Sequence, residues 1–216
     1  MTRLRLLVLL VAVSATLSTL AAADTVSFGP CITNNNVVDC NTNAQYTVIV
    51  TAVGSTQVSF QFQNSGPAAS SITDIYFDDG TLLGIASITN GTGTSFSQGA
   101  SPGDLPGGNN ISPAFQTTAG FLADSNPPAQ PNGVNPGEFV TIVFDLQSGK
   151  TFADVLSDLN SGALRIRIHV QGFTGGGSES FVNTPTPPPP IPEPATVLLL
   201  GTGLAGAATR LIRRRR

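Results

Sequence analysis

Few residues of this 216-residue chain have the types and spacing for chemistry. His169 is the single histidine. A catalytic histidine needs a nucleophile at one ring nitrogen and an orienting acid at the other, and the sequence places neither beside it. It lies on the polar side of an alternating strand, which favours a structural role or a second, covered face. Asp78 and Asp79, with Asp74 nearby, are carboxylates of the kind calcium accepts, but their spacing does not match an EF-hand loop, and solvated turn acids are the competing reading. Cys31 and Cys40 are the only cysteines; two such ligands alone make a poor zinc site. Gly201-Thr202-Gly203-Leu204-Ala205-Gly206 fits a dinucleotide fingerprint, yet it lacks a βαβ unit, and no acid follows to hold a ribose. No H-E-x-x-H pair occurs. These residues call for no cofactor and no resident metal, and catalysis is not expected from them.

The elements that would position such residues are strands. Gly 23 and Pro 16, with charged residues at 11%, describe a turn-rich chain with low charge. Tyr46, Val48 and Val50 interleave with Thr47, Ile49 and Thr51, the pattern of an inner strand. Val58, Phe60 and Phe62 alternate with glutamines and a serine, a strand with one wet face. Residues 72–77 and 82–88 flank Asp78-Asp79-Gly80, which reads as a hairpin-like turn. Residues 139–146 and 164–171 are further strands; in the second, Leu164, Ile166, Ile168 and Val170 face one way and Arg165, Arg167, His169 and Gln171 the other. Residues 115–122 form a weak strand inside a long Gly-, Pro- and Asn-rich segment, and a last strand lies around Ser180–Val182. Thr151 and Asp154 have capping-box-like spacing, and Phe152, Val155, Leu156 and Leu159 recur at helical spacing before Gly162, predicting a helix over 152–160. The expected fold is an all-β antiparallel sandwich, jelly-roll or immunoglobulin-like, with one short helix.

The chain ends carry addresses. Met1–Ala23 reads as a secretory signal, with Arg3 and Arg5 before an apolar run and Ala21-Ala22-Ala23 as the cleavage site, in the A-x-A pattern. Export places Cys31 and Cys40 where thiols oxidise, so a disulfide closing the Asn-rich loop between them is favoured over two free thiols. Residues 24–183 form the body, and there ten Asp and two Glu face only Lys150, Arg165 and Arg167, a net charge of −9. Such a body offers no footprint for nucleic acid. Residues 184–194 are a proline-rich linker ending in Pro192-Glu193-Pro194. Residues 195–212 are an apolar span of about 27 Å, short for a bilayer core of about 30 Å. Arg210 and the terminal Arg213, Arg214, Arg215 and Arg216 act as the membrane stop and place residues 213–216 in the cytoplasm.

Pro-Glu-Pro, an abutting apolar span and a terminal arginine cluster together resemble the PEP-CTERM sorting signal of bacterial envelope proteins. The resemblance implies recognition and processing by an exosortase-type membrane enzyme after passage through the export machinery. It also implies transient anchoring in the inner membrane, then residence at the cell surface or in an exopolysaccharide and biofilm matrix. The stretches at 75–80 and 168–172 are similar to segments of small PEP-CTERM proteins of unassigned role. The expected function is that of an exported structural or interaction protein in contact with extracellular polysaccharide. The alternatives are a polysaccharide-acting enzyme using loop carboxylates and a carbohydrate-binding module; without tryptophan, and with only Tyr46 and Tyr76 as tyrosines, the chain has few stacking platforms for the latter.

Overall fold

The computed structural model describes residues 23–33, 39–78, 80–99, 115, 117 and 120–185. Ten antiparallel strands run as β1 (Ala23–Thr33), β2 (Tyr46–Val53), β3 (Gln57–Asn64), β4 (Ser71–Phe77), β5 (Leu82–Asn90), β6 (Phe96–Gln98), β7 (Leu122–Ser125), β8 (Phe139–Leu146), β9 (Ile166–Gln171) and β10 (Ser178–Asn183). Their order is β5-β8-β3-β2-β1-β10-β9-β4-β7-β6. The all-β antiparallel class therefore holds, but the two layers of the expected sandwich are halves of one continuous sheet.

The join is β1. Residues 23–27 pair with β2, whereas Phe28 and the stretch after Pro30 pair with β10, with a register shift between Phe28 and Cys31. Gly29 and Pro30 sit at that shift, where Pro30 has no N–H to give to a ladder. A Cβ on Gly29 would come within 2.3 Å of Thr184 Oγ1, so glycine lets the end of the body pass close by. The folded-over halves meet through their apolar faces. Phe77 of β4 lies edge-on to Phe60 and Phe62 of β3 and to Phe144 of β8, with centroid separations of 5.0, 5.8 and 4.5 Å. Each such pair adds about 0.5–1.5 kcal/mol beyond burial of area. The far ends of the sheet also approach one another. The Asn90 side chain, at the end of β5, accepts from Phe96 N at 2.7 Å and donates to Phe96 O at 3.2 Å, imitating a ladder pair with β6. The result is nearly a barrel.

Two local expectations need correction. β4 and β5 do not form a hairpin; β4 pairs with β9 and β7, and β5 pairs with β8. The chain changes layers after Asp78, and the Gln147 amide holds the new course by donating to the carbonyls of Gly80 and Leu82. The weak strand expected from residue 115 begins only at Leu122, because Phe115 serves as cover rather than as a ladder residue. Alongside the predicted helix there is a four-residue helix, α1 (Ala129–Asn132), and a 3-10 turn at Cys40–Gln45.

The predicted helix itself is α2 (Phe152–Ser161). Its capping box is complete, with Asp154 N donating to Thr151 Oγ1 and Thr151 N donating to Asp154 Oδ2. Gly162 ends it in the left-handed region at φ 78°. Val155 and Leu159 enter the core.

Candidate functional site

β9 alternates as its sequence predicts, and its inner residues Ile166, Ile168 and Val170 join the main core. Its other face is covered as well. Arg167 is 0% exposed and His169 7%. Arg167 lies between Tyr76 of β4 and Val182 of β10 in register, and His169 between Asp74 and Ser180. Ile32, Tyr76, Phe115, Leu122 and Val182 form a second apolar cluster on this side. Phe115 lies over the two arginines. Its ring centroid is 4.4 Å from the Arg167 guanidinium carbon and 5.3 Å from that of Arg165, within cation–π range.

The charges under this cover divide unequally. Arg165 Nε donates to Asp78 Oδ2 at 2.5 Å. His169 Nδ1 lies 2.9 Å from Asp74 Oδ2, which also accepts the Thr73 hydroxyl at 2.7 Å. Among the described residues, Arg167 Nε, Nη1 and Nη2 have no hydrogen-bond partner, and neither does His169 Nε2. The Arg167 pKa is lowered to about 10, first by burial and then by the positive charge of Arg165, with Asp78 opposing both. Arg167 is still a cation at neutral pH. The Asp74–His169 pair has two members of a nucleophilic triad, but among the described residues no hydroxyl sits on Nε2 to complete it.

The other predicted site residues fall elsewhere. Cys31 and Cys40 form a disulfide with a Cα–Cα distance of 5.7 Å, tying β1 to the 3-10 turn. Buried Glu179 stands beside them, its carboxylate accepting from Asp39 N at 3.2 Å. These three form a compact trio of metal-ligand residue types, but the sulfurs are bonded to each other and leave no thiolate for an ion. Asp78 faces Arg165 instead of open solvent, and Asp79 lies outside the described residues. Ala23 opens β1 opposite Thr51; Ala21 lies outside the described residues. So do the linker motif Pro192-Glu193-Pro194, the apolar span and the arginines 210 and 213–216. Among the described residues no helix is long and apolar enough to cross a membrane.

The family comparison concerns that C-terminal region. A family model described as the PEP-CTERM protein-sorting motif matches residues 190–216. The chain carries a PEP-CTERM sorting motif. This makes it an exported, cell-surface-directed protein, targeted for processing by an exosortase. No curated protein and no solved structure matches the chain. The PEP-CTERM motif thus stands beside a body whose role must be argued from its own surfaces.

A second surface, missed in the residue-by-residue search for chemistry, is the outer face of the β5-β8-β3-β2-β1 half. Across it run the rows Thr25-Ile49-Gln61-Thr141-Thr89 and Ser27-Thr47-Gln63-Phe139. Hydroxyls and primary amides dominate, and they both donate and accept. Asp145 is the acid at the end of this field, and its carboxylate accepts from the Gln57 amide at 2.9 Å. The alternation in β3 already announced one wet face; its continuity over five strands depends on a register that no single segment reveals.

Proposed function

We propose that the body is a non-catalytic structural or interaction module, delivered to the cell surface through its PEP-CTERM tail and lodged there in extracellular polysaccharide. The observation that carries this reading is the hydroxyl- and amide-rich face built on β1, β2, β3, β8 and β5. Neutral sugars present the same donor–acceptor chemistry, and a pleated face with little charge can exchange its water for their hydroxyls without stripping an ion. Phe139, 39% exposed at the edge of that face, adds an apolar contact.

The test is sedimentation of the exported protein with exopolysaccharide from the producing cells, followed by sizing of the polymer. Retention with unchanged chain length is the expected result. A Gln61→Glu, Thr141→Asp double variant places like charges on neighbouring strands of the face and should reduce retention at least about tenfold, since unpaired charges must be desolvated for contact. Shortened polymer would overturn the non-catalytic reading. Retention that is indifferent to the double variant would overturn the assignment of the face.

A further inference from the structure

The acidic body contains three basic residues, and two of them, Arg165 and Arg167, come together under one aromatic ring. Arg165 has its acid. Arg167 is wholly buried and has none among the described residues, although the body carries twelve carboxylates. A phenylalanine ring attracts a guanidinium by its quadrupole but accepts no hydrogen bonds in the guanidinium plane, where all five N–H groups of Arg167 point. His169 lies two residues along the same strand face, and its Nε2 is also buried without a partner. The nearby acids, Asp74 and Asp78, are engaged by His169 with Thr73 and by Arg165. Four buried nitrogen atoms on one face therefore lack partners among the described residues, and the fixed charge among them is positive.

We infer that this face, on β9 between β4 and β10 and beneath Phe115, is a binding site for an oxyanion, a carboxylate or a phosphate group. The ligand would be held by the guanidinium fork of Arg167, with His169 Nε2 at its margin. The planar fork matches two oxygens of either anion, which is the partner a buried arginine ordinarily has. This site is separate from the hydroxyl-rich face on the other half of the sheet and does not depend on its role.

The test uses the exported protein in oxyanion-free chloride buffer. Thermal unfolding is followed while galacturonate or inorganic phosphate is added at constant ionic strength. Galacturonate represents a carboxylated saccharide and phosphate a phosphorylated one, so the active probe identifies the source. The expected result is a saturable rise in Tm with one of them, roughly 5–10 °C at a hundredfold excess over Kd. In Arg167→Met the rise should vanish, while the Tm in chloride alone stays at or above that of the unsubstituted protein, because an apolar chain replaces an unpaired buried charge. If Arg167→Met does not fold, Arg167→Lys carries the comparison. It keeps a charge without the fork and should weaken binding roughly tenfold or more. No saturable shift with either anion, or a shift unchanged in the variant compared, would overturn the inference.

Discussion

At the scale of single residues, two arginines two positions apart on one strand live under different rules. Arg165 is part-buried and paired with Asp78, with the Phe115 ring over its guanidinium, so removing the acid takes the carboxylate from a part-buried cation. Asp78→Asn should therefore destabilise the fold by about 1–3 kcal/mol, measured as a lower urea midpoint at unchanged slope. A loss below about 0.5 kcal/mol would place the pair with exposed ion pairs, which contribute little. Arg167 follows the opposite rule, since its cost lies in having no partner. That difference was not legible beforehand. Arg165, Arg167 and His169 alternate with isoleucines as an exposed strand face would, and the ring that lies over the two arginines, Phe115, comes some fifty positions earlier in the chain. Alternation tells which residues share a face; it does not tell what lies on top of it.

At the scale of elements, legibility followed locality. α2 was readable because its signals are close together: a hydroxyl and a carboxylate three residues apart, four apolar side chains at helical spacing and a terminal glycine. The turn after β4 misled because Asp-Asp-Gly chemistry is the same whether the next strand folds back or crosses to the other layer. Only the register with β8 and β9 decides that. The capping box also has a pH signature. The Asp154 carboxyl is held below its ordinary value of 3.8, first by the Thr151 hydroxyl and then by the Thr151 backbone N–H. A depressed folded pKa means stability that is fully present above the unfolded pKa and lost as pH falls through the folded one. Tm measured from pH 6 down to pH 2 should therefore fall less steeply in Asp154→Asn than in the unsubstituted protein, with the divergence below about pH 4. Superimposable profiles would show that the carboxylate does not cap the helix in solution.

At the scale of the whole molecule, the fold is a sheet held at its ends and its bend. The Cys31–Cys40 bridge fastens the outgoing half of β1 to the 3-10 turn. Closing so short a loop constrains the unfolded chain by about 2–3 kcal/mol. Intact mass of the exported protein should show both sulfurs oxidised, and reduction should lower the unfolding free energy by that amount. Two free thiols in the exported protein, or identical denaturation curves with and without reductant, would refute the role of the bridge. Overall class was legible here because period-two alternation recurs along the body. The continuous, nearly closed form was not, because it rests on β1 serving two partners and on one asparagine imitating a strand.

The shared strand has a kinetic consequence. β1 is the first part of the body to emerge, and β10, to which its second half pairs, is the last. No half-delivered chain holds both. Contacts of such long sequence separation close slowly, since the intervening loop entropy is lost before they form. The closure of the body thus waits until Asn183 has arrived beside Phe28. At that point the chain leaves through Thr184, whose N–H donates to Ser27 O at 2.9 Å.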